Sequence, residues 1–89
     1  MRVDLESLHA YVGEGRKAIP LPSRLAALFL DAVVSAKGAW ITCSEIHRFD
    51  PELEGSRCGP IRKTLPRQLQ KIVKSRRGKG FRLTLDQSV

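Results

Sequence analysis

The sequence predicts a small α+β domain with a short N-terminal antiparallel sheet, three helices and a C-terminal β-hairpin. Three observations carry this expectation. Apolar residues alternate over positions 1–21, change to helical spacing from position 24, and alternate again around a glycine pair near the C-terminus. The chain has 89 residues, 42% hydrophobic and 28% charged, which suits one compact domain, 1–89, and leaves no material for a second core.

The elements follow in order. Val3 and Leu5, then Leu8, Ala10 and Val12, then Ala18, Ile19 and Leu21 alternate as two or three short strands within 1–21, with a turn at Gly13-Glu14-Gly15-Arg16. Pro20 and Pro22 bracket Leu21, and Ser23 is placed to cap a helix that starts at Arg24. Leu25, Leu28, Phe29, Ala32 and Val33 recur at i, i+3, i+4, i+7 and i+8, which predicts a wide buried stripe. The helix should end between Ser35 and Gly38. Ala39-Trp40-Ile41 is a short β-prone run, and Thr42-Cys43-Ser44-Glu45 has the spacing of a capping box, so a second helix is expected from Cys43 to about Phe49.

Asp50 to Gly55 reads as an acidic loop punctuated by proline and glycine. Ser56 is the expected cap of a third helix, Arg57 to Leu65, with Cys58, Ile61 and Leu65 on its inner face and Pro60 tolerated in its first turn. Pro66 ends or kinks this helix, and Leu69 and Ile72 support one more short turn, completing a helical core over 23–71. Ile72 to Arg76 and Phe81 to Leu85 then form a hairpin, 72–85, around Arg77-Gly78-Lys79-Gly80.

Charge is distributed unevenly. The net charge is +7, yet Arg57 to Leu85 carries ten basic residues and no acid, whereas the rest of the chain sets six basic residues against nine acids. A basic third in an otherwise mildly acidic chain assigns polyanion binding to one part of the fold. The longest apolar stretch, Leu25 to Val34, is interrupted by Asp31 and about half the length of a bilayer span. The charged N-terminus does not read as an export signal, and the expected location is the cytoplasm.

This order of elements is that of a winged helix-turn-helix. The stretch Ile72-Val73-Lys74-Ser75-Arg76-Arg77-Gly78-Lys79-Gly80-Phe81-Arg82-Leu83 resembles the wing of the OmpR/PhoB family of response-regulator DNA-binding domains, whose wing reads Arg-Gly-x-Gly-aromatic-Arg after a strand. The segment Gly38 to Ile46 is similar to that family's junction between strand and second helix. Two positions depart from the pattern: Pro60 lies within the third helix, and Ala26 stands where a large aromatic is common. No receiver domain precedes the module, so phosphorylation control is not expected in this chain. The resemblance implies duplex-DNA binding and transcriptional regulation, with Arg77 reaching into the minor groove; a homodimer on DNA and a place on the nucleoid when bound are further expectations. It also implies a contact with RNA polymerase through the loop around Asp50, Glu52 and Glu54.

Residue chemistry supports the same surface. On a third helix inserted in the major groove, Arg57, Arg62, Lys63 and Thr64 are expected to point outward. A guanidinium can donate two hydrogen bonds to guanine O6 and N7, so Arg62 and then Arg57 are the expected base or phosphate contacts, and Lys63 a phosphate contact. Arg67, Lys74, Arg76 and Lys79 extend the electrostatic anchor, with Lys79 at the hairpin tip. Phe81 and Trp40 are expected as core anchors. Alternative uses of the same surface are an interaction module for an acidic protein, a binder of structured RNA, and a non-specific architectural DNA binder.

Other chemistry finds little footing. His9 and His47 have no serine or acidic partner at a motif spacing, and no phosphate-binding loop occurs, so no enzymatic activity is expected. Cys43 and Cys58 are expected as free thiols. Cys43 and His47 lie at i, i+4, but with Cys58 they make three ligands where a structural zinc site has four, so no metal or other cofactor is expected.

Overall fold

A computed structural model describes residues 2–11 and 18–84. The turn expected at Gly13-Glu14-Gly15-Arg16 and the strand position Leu85 lie outside the described residues. The remaining elements form an α+β fold: β1 (Arg2–Asp4), β2 (His9–Tyr11), β3 (Ala18–Pro20), α1 (Arg24–Ser35), α2 (Cys43–Phe49), a 3-10 turn (Pro51–Leu53), α3 (Cys58–Thr64), α4 (Arg67–Gln70), β4 (Val73–Arg76) and β5 (Gly80–Leu83). The strands make two antiparallel sheets, β1-β2-β3 and β4-β5.

β2 is the centre of the first sheet, pairing Ala10 with Val3 on one side and Ile19 on the other. Ala10 and Ile19 are buried against the helices, while Ala18 and Pro20 face outward, as period-2 alternation requires. The turn before β2 is held by Asp4, whose Oδ1 accepts from the backbone N–H of Glu6 and Ser7 at 2.9 and 3.2 Å.

α1 is the core of the molecule. The Ser23 side chain accepts from Ala26 N–H at 3.2 Å and closes its first turn, as expected for an N-cap serine. Ala26, Ala27, Leu28, Phe29, Leu30, Ala32 and Val33 are all buried, so the helix is covered on nearly every side rather than along one stripe. Leu25 corrects the expected stripe: it is 39% exposed, while Ala26, Ala27 and Leu28 of the same turn are buried. Each full burial of a Phe or Leu here contributes about 1.5–3 kcal/mol, which makes α1 the main source of stability. Phe29 meets Phe81 of β5 edge to face, with ring centroids 5.1 Å apart. Phe81 is the core anchor expected of it. Trp40 is only half-buried; the Arg82 guanidinium lies 5.5 Å from its ring centroid.

α2 begins with the predicted capping box. The Thr42 hydroxyl accepts from Glu45 N–H at 3.2 Å, and Glu45 Oε1 accepts from Thr42 N–H at 3.0 Å. The acidic loop forms a 3-10 turn whose first N–H groups are served by Asp50, and Leu53 drops from it into the core. Glu52 reaches back to α1, where its carboxylate accepts from Arg24 Nε–H at 2.9 Å and from Nη2 at 3.0 Å.

α3 starts one residue later than expected and without the Ser56 cap. Arg57 occupies the capping position and makes no side-chain cap bond, while the Ser56 carbonyl is engaged with His47. Pro60 sits in the first turn, where its missing N–H has no intrahelical partner to lose. Pro66 terminates α3, since the residue before a proline is pushed out of the helical region, and Leu65 is accordingly extended at φ −65° and ψ 149°. The chain resumes as α4, which places Leu69 in the core beside Ile61 and Leu65.

The C-terminal hairpin is tied back to the chain ahead of α2. Ile41 and Phe81 exchange two backbone hydrogen bonds of 2.8 Å each, the only part of the β-prone run at 39–41 that pairs. Among the described residues no helix is long and apolar enough to cross a membrane.

Candidate functional site

The basic residues of the C-terminal third come from three neighbouring elements. Arg57 and Lys63 belong to α3 and its cap, Arg67 to α4, Lys74 and Arg76 to β4, and Arg77 and Lys79 to the hairpin turn; all are exposed. Lys71, which follows α4, and Gln68, within it, are exposed beside Arg67. Sequence reasoning passed over Gln68 as a readout residue, because a lone glutamine carries no signal until α4 places it among cations.

Hairpin register decides which cations share a face. Val73 pairs with Leu83 and Ser75 with Phe81; Val73, Leu83 and Phe81 are buried in the core, while Ser75 on the same side is exposed. Lys74 pairs with Arg82, and Arg76 with Gly80, on the opposite face. Like charges directly across a strand pair are destabilising, and no described acid lies within ion-pair distance of either. The one ion pair among the described residues, Arg24–Glu52, lies elsewhere, so no described acid pairs with a cation of the basic third.

Arg62 is placed differently from expectation. It is half-buried and turned inward: Nε–H donates to the Val73 carbonyl at 2.7 Å and Nη2 to the Gln70 carbonyl at 3.1 Å. A helix of two turns beside a returning hairpin brings one of its polar positions against the Gln70 carbonyl that ends α4 and the Val73 carbonyl that opens β4, and a guanidinium fork satisfies both at once. Gln70 performs a similar task, donating to the Lys63 and Leu65 carbonyls at the end of α3. Thr64 is exposed, but its hydroxyl donates to the Ile61 carbonyl at 2.6 Å.

At the hairpin turn the two glycines have separate reasons. Gly78 has φ +82° with open space around it, so only its backbone conformation requires glycine. Gly80 has φ +100°, and a Cβ there would overlap the Ile41 carbonyl. Gly80 is thus required by the protein's own packing rather than by approach to a ligand.

The acidic loop is largely engaged within the fold. Asp50 accepts from Glu52 N–H at 3.3 Å, and hydrogen bonds from Arg24 hold the Glu52 carboxyl below its ordinary value.

The two thiols are also corrected. Cys43 and Cys58 are joined in a disulfide, with Cα atoms 5.9 Å apart, because the 3-10 turn folds α3 back so that its first residue faces the first residue of α2. His47 lies beside them, its Nε2 3.5 Å from Cys43 Sγ and 2.9 Å from the Ser56 carbonyl. No protein-family model, curated protein or solved structure matches the chain.

Proposed function

We propose that the chain is a winged helix-turn-helix that binds duplex DNA sequence-specifically and regulates transcription. The observation that carries this reading is the cationic surface spanning α3, α4 and the β4–β5 hairpin, in which no described acid pairs with a cation and Lys74 and Arg82 lie directly opposite each other, at a cost to folding. Such an arrangement gains when a polyanion neutralises it, since each neutralised phosphate releases counterions. Supporting it, α1, α2 and α3 follow one another and the hairpin returns to pair with the chain entering α2, as the winged-helix reading requires.

In this reading the α3–α4 segment enters the major groove. Arg57 and Arg67 carry the guanidinium forks that can grip guanine, Gln68 offers an amide suited to adenine, and Lys63 and Lys71 serve phosphates. Arg62 is a structural residue behind this surface. The hairpin turn lies along the adjacent minor groove, with Arg77 inserted and Lys79 on the flanking backbone.

The test is fluorescence anisotropy of a labelled random 20-mer duplex pool across a salt series, followed by selection and sequencing of the bound fraction. With about five to eight phosphates neutralised, log affinity should fall against log salt with a slope of roughly −4 to −7. A steep slope and an enriched motif are the expected result. A steep slope without a motif would reduce the reading to a non-specific binder, and no binding at low salt would overturn it.

A further inference from the structure

Cys43, His47 and Cys58 converge between α2 and α3. Cys43 opens α2 and His47 follows one turn later on the same face, while Cys58 opens α3 and is carried across by the 3-10 turn. The two sulfurs and an imidazole nitrogen all lie within 4.8 Å of one another. A disulfide uses only the sulfurs, and the imidazole beside them, bonded to the Ser56 carbonyl, also keeps its Nε2 close to Cys43 Sγ.

We infer that this cluster, with its thiols reduced, is a zinc site in which Cys43 and Cys58 thiolates and His47 Nε2 hold Zn(II), and water takes the fourth position. Zinc bonds of about 2.3 Å to sulfur and 2.0–2.1 Å to nitrogen imply tetrahedral edges of roughly 3.5–3.8 Å. The 3.5 Å between Cys43 Sγ and His47 Nε2 is such an edge. The sulfurs need separate only to a similar span once their bond is opened. Two thiolates and an imidazole suit zinc rather than magnesium or calcium, which take oxygen ligands.

The proton inventory closes. A carbonyl only accepts, so in the disulfide form His47 Nε2 carries the hydrogen and donates it to Ser56. Metal binding requires the other tautomer: the proton moves to Nδ1, which bonds to no other described residue, and the half-buried Ser56 carbonyl turns to water. Opening the disulfide takes two electrons and two protons; a trialkylphosphine supplies the electrons, and water supplies the protons and the oxygen of the phosphine oxide. Zn(II) then displaces both thiol protons to solvent.

Two of the three ligands border open clefts, while Cys58 is buried between the helices. Cys43 borders an open cleft shared with Thr42 and the hairpin turn, and His47 borders another with Ser44 and Arg48. Three protein ligands leave one exchangeable position, in contrast to a closed four-ligand site. Bound zinc would keep the start of α3 tied to α2 where a reducing environment opens the disulfide.

The test uses the full chain, reduced with phosphine, desalted under argon and titrated with Co(II) and then Zn(II) in the absence of DNA. The expected result is one Co(II) per chain with sulfur-to-cobalt charge-transfer and four-coordinate d–d bands, displaced by equimolar Zn(II), and a rise in the thermal midpoint with Zn(II) but not Mg(II). His47→Gln, confirmed as folded by circular dichroism, should weaken binding by at least the roughly 10–100-fold that loss of an outer-shell partner costs. Cys58→Ser is then compared, or Cys43→Ser in its place if the first does not fold, with the same expected loss of affinity. Absence of cobalt binding, a purely six-coordinate cobalt spectrum, or undiminished affinity in His47→Gln would overturn the site. Because no nucleic acid is present, either result leaves the DNA-binding reading to its own experiment.

Discussion

The Arg62 side chain and the Val73 carbonyl are joined by a 2.7 Å hydrogen bond that ties α3 to the first residue of β4. A second bond, to the Gln70 carbonyl, makes the guanidinium a bracket between the two parts of the proposed DNA surface. Hydrogen bonds to a charged group contribute about 1.5–3 kcal/mol each, and their removal strands two carbonyls. Arg62→Ala should therefore lower stability by about 2–3 kcal/mol, a fall of roughly 10–20 °C in thermal midpoint for a domain of this size. Arg62→Lys should recover only part of it, because an ammonium lacks the planar fork. An Arg62→Ala protein with unchanged stability would show that the bracket contributes nothing.

The two hairpin glycines should respond unequally to the same substitution. Gly78→Ala meets no neighbour within 4 Å and adds only the left-handed backbone strain, about 1–2 kcal/mol. Gly80→Ala carries that strain and also drives a methyl group into the Ile41–Thr42 backbone, separating β5 from the strand-like entry to α2. Its destabilisation should exceed that of Gly78→Ala by more than about 1 kcal/mol, as overpacking against backbone does. Urea midpoints of the two variants decide the matter, and equal values would refute the close approach.

Acid should weaken the fold through identified carboxylates. Glu45 is held below its ordinary value of 4.5, first by the backbone N–H of Thr42 and then by its hydroxyl, and Asp4 below 3.8 by the backbone N–H groups of Ser7 and Glu6. A carboxyl depressed in the folded state stabilises above its unfolded value, and that contribution is lost as pH falls through the folded value. Asp31 has the opposite sign: burial, and next the charge of Asp50, raise it, so its contribution is present at low pH and lost as pH rises. Urea midpoints should fall from pH 6 to pH 3, and the fall should be smaller in Glu45→Gln, whose amide oxygen still accepts from Thr42 N–H. In Asp31→Asn the neutral-pH midpoint should rise; a midpoint that drops there would contradict the assigned sign.

Much of the element order was legible because local chemistry and burial agree at Ser23, at the Thr42–Glu45 capping box and at Pro66. What stayed hidden depends on contacts between distant segments. Arg62 reads as an outward cation on a helical wheel, and only the end of α4 and the return of β4 supply the carbonyls that draw it in. The disulfide depends on the path of a 3-10 turn that a run of Asp, Pro and Glu does not announce, and Ser56 fails to cap α3 because the chain there bends toward His47. Gly80 looks like Gly78 until the Ile41 bridge is in place.

The Lys74–Arg82 pair offers a way to separate folding from function. Directly opposed on one face of the hairpin, the two cations repel, and Arg82 also leans on Trp40. Lys74→Glu converts the pair to opposite charges, which should raise stability by about 0.2–1 kcal/mol. The same change removes one cation from the proposed surface and adds an anion, so DNA affinity should drop and the salt slope should become shallower by about 1–2. A merely solvated basic face predicts the gain in stability with no change in binding. Denaturation midpoints and anisotropy titrations on one preparation of the variant measure both. Increased stability together with weakened, less salt-sensitive binding is the expected outcome, because a repulsive pair on the hairpin has a physical reason to persist when a polyanion relieves it.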